Sequence, residues 1–373
     1  MKRKLKPGVK VFLFLMILIV LIIVGVLVYP KQKEDKKGNN NQNVDIVSEE
    51  EVVEEPKEKK MSLIAVGDVL IHESVYKDAY VDGTYDFSPM FTYIEPILKK
   101  YDLRFCNQES TIGGSAFGIS GYPAFNSPEE IGDELVRIGF NMISLANNHA
   151  LDKGMDAVLY SNSYWKSKNV QTAGAYSSLE ERNEVKVYEK NGIKYAFLAY
   201  TTVSNYYVPN DYIINMYDPD RVREDIDSVR DKVNVIIVSM HWGEEYTNTP
   251  TYSQREIAEY LSSLGVHLII GSHPHVVQPV EYIGNTLVIY SLGNFISNQL
   301  SIGLNPGIGL MVGVDIVVTD EGVRFENLYK ELILAYAEYS TNFKVIPFSE
   351  LTDDDLYNHE QIENEYMEIV NGV

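Results

Sequence analysis

Five short runs in this 373-residue chain each break off at a cluster of Asp, Glu, Asn or His side chains: GDVLIH (67–72), NQES (107–110), NNHALDKG (147–154), HWGEE (241–245) and GSHPHV (271–276). The apolar stretches ahead of them, such as NVIIVSM and VHLII, have the length and continuous character of strands covered on both faces. Helical patterns alternate with them. The spacing predicts helices over 88–100, from Ser88-Pro89, and over 154–167. It predicts further helices after Asp218 as N-cap and over SQREIAEYLSSLG, stopping at Gly265. Ser127, Pro128 and Glu130 fit a capping box opening another helix. Asn191-Gly192, Gly284-Asn285 and Asp320-Glu321-Gly322 are hairpin signals. Alternating strands and helices indicate an α/β fold, and the hairpins make its sheet mixed or split it in two. In open sheets of this class ligands bind beyond the carboxyl ends of the strands, where the five clusters sit.

The first 60 residues read differently. Residues 11–29 carry no charge over 19 positions, about 28 Å of helix and enough to span a bilayer core. Five Lys and Arg precede the run, and the Lys that follow it are offset by Glu34 and Asp35, which favours a cytoplasmic N-terminus. No small-residue cleavage site follows, so residues 1–30 read as a cytoplasmic stub and an uncleaved single-pass membrane anchor, with the main domain extracellular. Residues 31–60 are a polar tether too poor in apolar residues to fold. Residues 61–332 form the domain, and 333–373 an acidic, partly helical extension. The total charge of −21 divides into +5 before residue 31, −2 in the tether and −24 beyond, a surface that excludes nucleic acid as a partner. The single Cys106 excludes an intrachain disulfide and a zinc ribbon.

Five of the seven histidines fall in the clusters: His72, His149, His241, His273 and His275. Imidazoles mixed with carboxylates suit Zn, Mn or Fe. Two cations about 3.5–4 Å apart need a bridging anion, for which Asp68 or Glu109 serve, and a rim of neutral donors such as Asn148, His241, His273 and His275. Each residue also has an ordinary reading: Asp68 as a turn cap, Glu109 as an exposed strand-end acid, Asn147-Asn148 as turn formers, His241 as a core imidazole, His273 and His275 as loop residues. Their recurrence at successive strand ends is what favours a common site. In extended backbone, residues either side of Pro274 point the same way, letting one strand end serve two cations. Trp242, Glu244 and Asn294 are candidates to touch substrate.

The set GDVLIH, NQES, LANNHALDKG, HWGEE, GSHPHVVQP and YSLGNF resembles the bacterial capsule-synthesis CapA family, the poly-γ-glutamate capsule group, over residues 62–300. That family is similar in turn to calcineurin-like metallophosphoesterases. The resemblance implies two mixed β-sheets sandwiched between helices in four layers. It implies Asp68, His72 and His275 on one divalent metal, Glu109 as bridge, and Asn148, His241 and His273 on a second, with His149 as acid or electrostatic stabiliser. It also implies other capsule-synthesis membrane proteins and an anionic polymer, poly-γ-glutamate, as partners. Three positions depart from the phosphoesterase pattern. Three residues separate Asp68 from His72, Glu109 replaces an Asp, and Ala150 follows His149 where those enzymes often carry an acid, with Asp152 close by. Hydrolysis or transfer at an ester or amide is the chemistry implied. A non-enzymatic export or assembly subunit and an envelope phosphoesterase are the alternatives.

Overall fold

The computed structural model describes residues 58–372. The expected anchor and nearly all of the tether lie outside the described residues. Among the described residues no helix is long and apolar enough to cross a membrane.

The expected pair of mixed sheets is present. The larger sheet is built on the strand Glu58–Val69, so regular structure begins within the segment expected to be tether. On one side it pairs in parallel with Leu103–Gln108, which is followed by Met142–Ser144 and Gln171–Ala173. On the other side it pairs antiparallel with Ile308–Thr319, followed by Gly322–Glu338 and Thr341–Pro347. Asn294–Ile296 joins the end of the opening strand in parallel. The strand Gly322–Glu338 runs straight through position 333, so residues 333–347 belong to this sheet. The helix His359–Asn371 follows.

In the smaller sheet Ile193–Thr201, Val235–His241, Leu268–Ser272 and Thr286–Ile289 lie parallel. The hairpin partners Val187–Lys190 and Val280–Ile283 close its two edges. Asn191 and Gly192 both have positive φ, the conformation a two-residue hairpin turn demands and the reason the sequence signal works there.

Side-chain alternation creates the layers. Leu63 and Ala65 face inward with Phe105, Phe197, Ile237 and Ile270 to form the core between the sheets. Ile64 and Val66 face outward beneath Leu135 and Trp165 of the helices Glu129–Ile138 and Gly154–Ser167. On the far side Val238 and Met240 pack against Ile226 and Leu261 of the helices Pro219–Val229 and Tyr252–Ser263. The order is helix, sheet, sheet, helix.

Two local expectations change. The helix over 88–100 is two short pieces, Ser88–Phe91 and Glu95–Leu98. Pro96 has no N–H to bond back and restricts Glu95 before it, so a continuous helix breaks there. The capping box at Ser127 does not form. Pro128 stays extended as N-cap, and Ser127 Oγ instead donates to Ser110 Oγ at 2.8 Å. A capping box does form between Thr251 and Gln254, ahead of Tyr252–Ser263.

Candidate metal centre

Asp68 and His241 sit at the ends of their strands, and Glu109 follows directly on Leu103–Gln108. Parallel pairing brings these ends level. Asp68 registers with Asn107, Asn107 with Ser144, and His241 with Ser272. All five sequence clusters thereby converge on one edge.

Two groups of buried donors result, Asp68–Glu109–His275 and Glu109–His241–His273, each with ligand atoms within 4.8 Å of one another. Glu109 is common to both. Its Oε1 lies 3.7 Å from the Nε2 atoms of both His241 and His275. Asn148 Oδ1 is 2.8 Å from His241 Nε2, which adds a fourth donor to the second group.

His273 and His275 serve different groups, as the spacing around Pro274 suggested, but the backbone is not extended. Their φ angles are 97° and 58°, in the left-handed region that costs a side chain roughly 1–3 kcal/mol. The turn, and not strand geometry, aims the two rings.

His72 is not brought into either group. The chain beyond Asp68 stays clamped, with Leu70 donating to Ile296 O and Val69 O accepting from Glu109 N and Ser110 N. His72 then becomes the N-cap residue of the helix Glu73–Asp78, its Nδ1 accepting from Asn298 N at 3.1 Å. Burial lowers its pKa to about 4.

The metal-free protonation states leave His241 and His273 as neutral donors, whereas a cation would have to displace protons at Glu109 and His275. Burial, reinforced by Asp68, pushes the Glu109 pKa well above the usual carboxylate range. Burial, with His273 and His275 adding to it, drives His241 well below 6.5, and burial with His275 brings His273 to about 4. Burial also opposes charge on His275, but Glu109 and Asp68 outweigh it and raise that imidazole to about 9. Both Glu109 oxygens and His273 Nδ1 are buried without a hydrogen-bond partner. Orphaned acceptors are costly in a protein interior, and these converge in an N/O set that divalent ions satisfy. The donors fit such an ion.

Supporting residues hold the ligands. Asn107, not foreseen as functional although it opens NQES, donates from Nδ2 to Asp68 Oδ1 at 2.7 Å. Ser272 Oγ lies 3.0 Å from His241 Nδ1 and, able to donate or accept, serves either tautomer of that ring. Asn294 was expected to meet substrate. It is fully buried and places Oδ1 3.0 Å from His275 Nδ1, so it orients a ligand instead. Trp242 is also no substrate contact. One residue beyond His241 it faces the opposite side of the sheet, stacks on Tyr290 and donates from Nε1 to Tyr290 O at 2.9 Å. Glu244 is exposed and does not line the cavity, whereas its neighbour Glu245 does.

That cavity, about 720 Å³, opens over the site between His72, Asn148, His149, Glu245 and the loop at Asn298. His149 lies on its wall. Its Nδ1 is 2.7 Å from Asp152 Oδ2, which also accepts from Phe125 N at 2.7 Å, and Phe125 meets the ring edge-on at 4.7 Å. Asp152 thus supplies, from three residues on, the acid missing at position 150.

The family described as "Bacterial capsule synthesis protein PGA_cap" matches residues 62–299, and every donor above lies within that span. The chain belongs to this family. Within the PGA_cap family, it is 30% identical over 245 residues to the PGA biosynthesis protein CapA of Bacillus subtilis, covering 64% of each chain. It is 25% identical to the capsule biosynthesis protein CapA of Bacillus anthracis, covering 66% of this chain and 62% of that one. The match thus spans just under two thirds of each relative's length. Among solved structures, a phosphatase of Mycoplasma pneumoniae is similar, with 17% identity and a TM-score of 0.47 over 74% of this PGA_cap chain and 94% of that one.

Proposed function

We propose that this protein is a membrane-anchored, extracytoplasmic component of capsule or related surface-polymer production, and that its buried centre holds two divalent cations (Mn, Zn or Fe) for hydrolysis or group transfer at an ester or amide. The observation that carries the reading is Glu109, whose two unpartnered oxygens stand between two histidine-containing donor groups. Asp68, Glu109 and His275 form the first ligand set; Glu109, Asn148, His241 and His273 form the second. Divalent ions there supply Lewis acidity and a lowered pKa for water. His149 then passes a proton from Nε2 to the leaving group, while Asp152, on Nδ1, fixes the orientation of the ring. Asn148 and Asn205 line the route in.

Poly-γ-glutamate is the polymer that the family resemblance implies, and capsule-synthesis membrane proteins are the partners. A non-catalytic assembly subunit is the competing reading. It is favoured by one observation, that His72 stays outside the first donor group and leaves it three ligands.

The test is elemental analysis of the purified chain with hydrolysis of a small aryl phosphate and a small aryl ester. Two ions per chain, with turnover lost in His149→Ala but ions retained, is the expected result. Ion-free protein, or turnover indifferent to both His149→Ala and His241→Ala, overturns the catalytic reading.

A further inference from the structure

The cavity over the donor groups has a composition that bears on what enters it. Its wall carries three tyrosines, of which Tyr122 is 77% exposed, Tyr206 48% and Tyr246 40%. Between them stand the amides Asn205, Asn298 and Gln299, and the carboxylate of Glu245. No Lys or Arg is among the residues that line it. A second element leans on the same rim. The turn Tyr339-Ser340 joins the strands Gly322–Glu338 and Thr341–Pro347, and Ser340 Oγ lies 3.4 Å from Asn298 Nδ2. Both turn residues have positive φ, where Asn-Gly would cost nothing, and the Tyr339 side chain stands fully in solvent.

A polyanion with a carboxylate on every unit is poorly served by such a surface. Cations at the floor would neutralise one or two carboxylates, but those at the wall meet Glu245 and no Lys or Arg, and desolvating an unpaired charge is costly. Phenol faces beside amides and a carboxylate suit a different chemistry. Flat apolar C–H faces stack on the rings, while vicinal hydroxyls exchange hydrogen bonds with side chains that both donate and accept.

We propose that this cavity binds a neutral carbohydrate segment, with sugar faces on Tyr122 and Tyr206 and hydroxyls on Asn205, Asn298 and Glu245. The site then acts where the surface polymer meets a glycan, and Tyr339 extends the platform for further sugar units. The inference deepens the metal-dependent reading and rests on it for the identity of the site.

The experiment uses the full chain in detergent micelles and saturation-transfer NMR with three probes: chitotetraose, maltotetraose and a short poly-γ-glutamate. At least one neutral oligosaccharide is expected to bind, and Tyr122→Ala combined with Tyr206→Ala is expected to weaken it at least tenfold, about 1.4 kcal/mol. Tyr122→Phe with Tyr206→Phe, which keeps the ring faces, should retain most of the affinity. Binding of poly-γ-glutamate alone, binding of none of the three, or an alanine pair that binds like the parent overturns the proposal. Ion content is measured on the same samples, so the two failures separate. A chain without ions that still binds sugar refutes only the metal reading, and an ion-loaded chain that ignores both sugars refutes only this one.

Discussion

Glu109 is the residue on which the centre turns, because it is buried, shared by both donor groups and has a carboxylate without a hydrogen-bond partner. Replacing it by glutamine keeps the shape and removes the charge. Glu109→Gln is therefore expected to lose both ions by elemental analysis, and in the metal-free protein to lower the pKa of His275, because Glu109 is one of the two carboxylates that raise it. His275 gives a pH signature. Its folded pKa, about 9, lies above the ordinary imidazole value. The stability its charge contributes to the metal-free protein is thus fully present below about 6.5 and fades as pH rises toward 9. An entering cation must displace that proton, so metal affinity should rise with pH and binding should release protons. Calorimetry in buffers of different ionisation enthalpy reads this directly. Residue type alone singled out most of the buried donors but misjudged the residues around them. Trp242 sits beside His241 in sequence yet faces away from the site, because alternation sends adjacent side chains to opposite faces, whereas Asn294, 19 positions from His275, braces that ring.

At the scale of elements, the strand ends are delivered by backbone crossings too close for side chains. A Cβ on Gly67 would come within 1.8 Å of Gly293 O, where the opening strand passes the segment entering Asn294–Ile296. Gly67→Ala must displace one of these backbones, and with it Asp68, whose N–H donates to that same oxygen at 3.0 Å. The expected cost is about 1–3 kcal/mol in denaturant unfolding, with loss of the first ion before the second. The first donor group should also release its ion earlier in the parent protein, on stepwise chelation, because three described ligands hold it against four. Elements whose signals are local were legible: the Asn191-Gly192 hairpin, the Asp218 cap and the helix Gly154–Ser167. Ser127 carried an equally good signal and failed, because a tertiary partner, Ser110, competes for its hydroxyl. His72 failed for a related reason, since a helix start, invisible in the spacing, carries it away from Asp68.

For the whole molecule, the sheets do what no single element can, aligning five strand ends on one edge. The membrane prediction belongs at this scale. The full chain is expected in the membrane fraction and a chain lacking residues 1–30 in the soluble fraction, with protease added outside intact cells cutting the domain; a soluble full chain would refute the anchor. By itself the sequence determined the α/β alternation, the identity of the ligand types and the family, because apolar period, turn chemistry and motif spacing are written locally. Only the tertiary structure decided that Glu109 is shared, that His72 stands apart, that the histidine turn is left-handed and that the cavity wall carries tyrosines and no Lys or Arg. Those facts depend on register between strands distant in sequence and on which hydroxyl or amide wins each partner, and no local pattern encodes that competition.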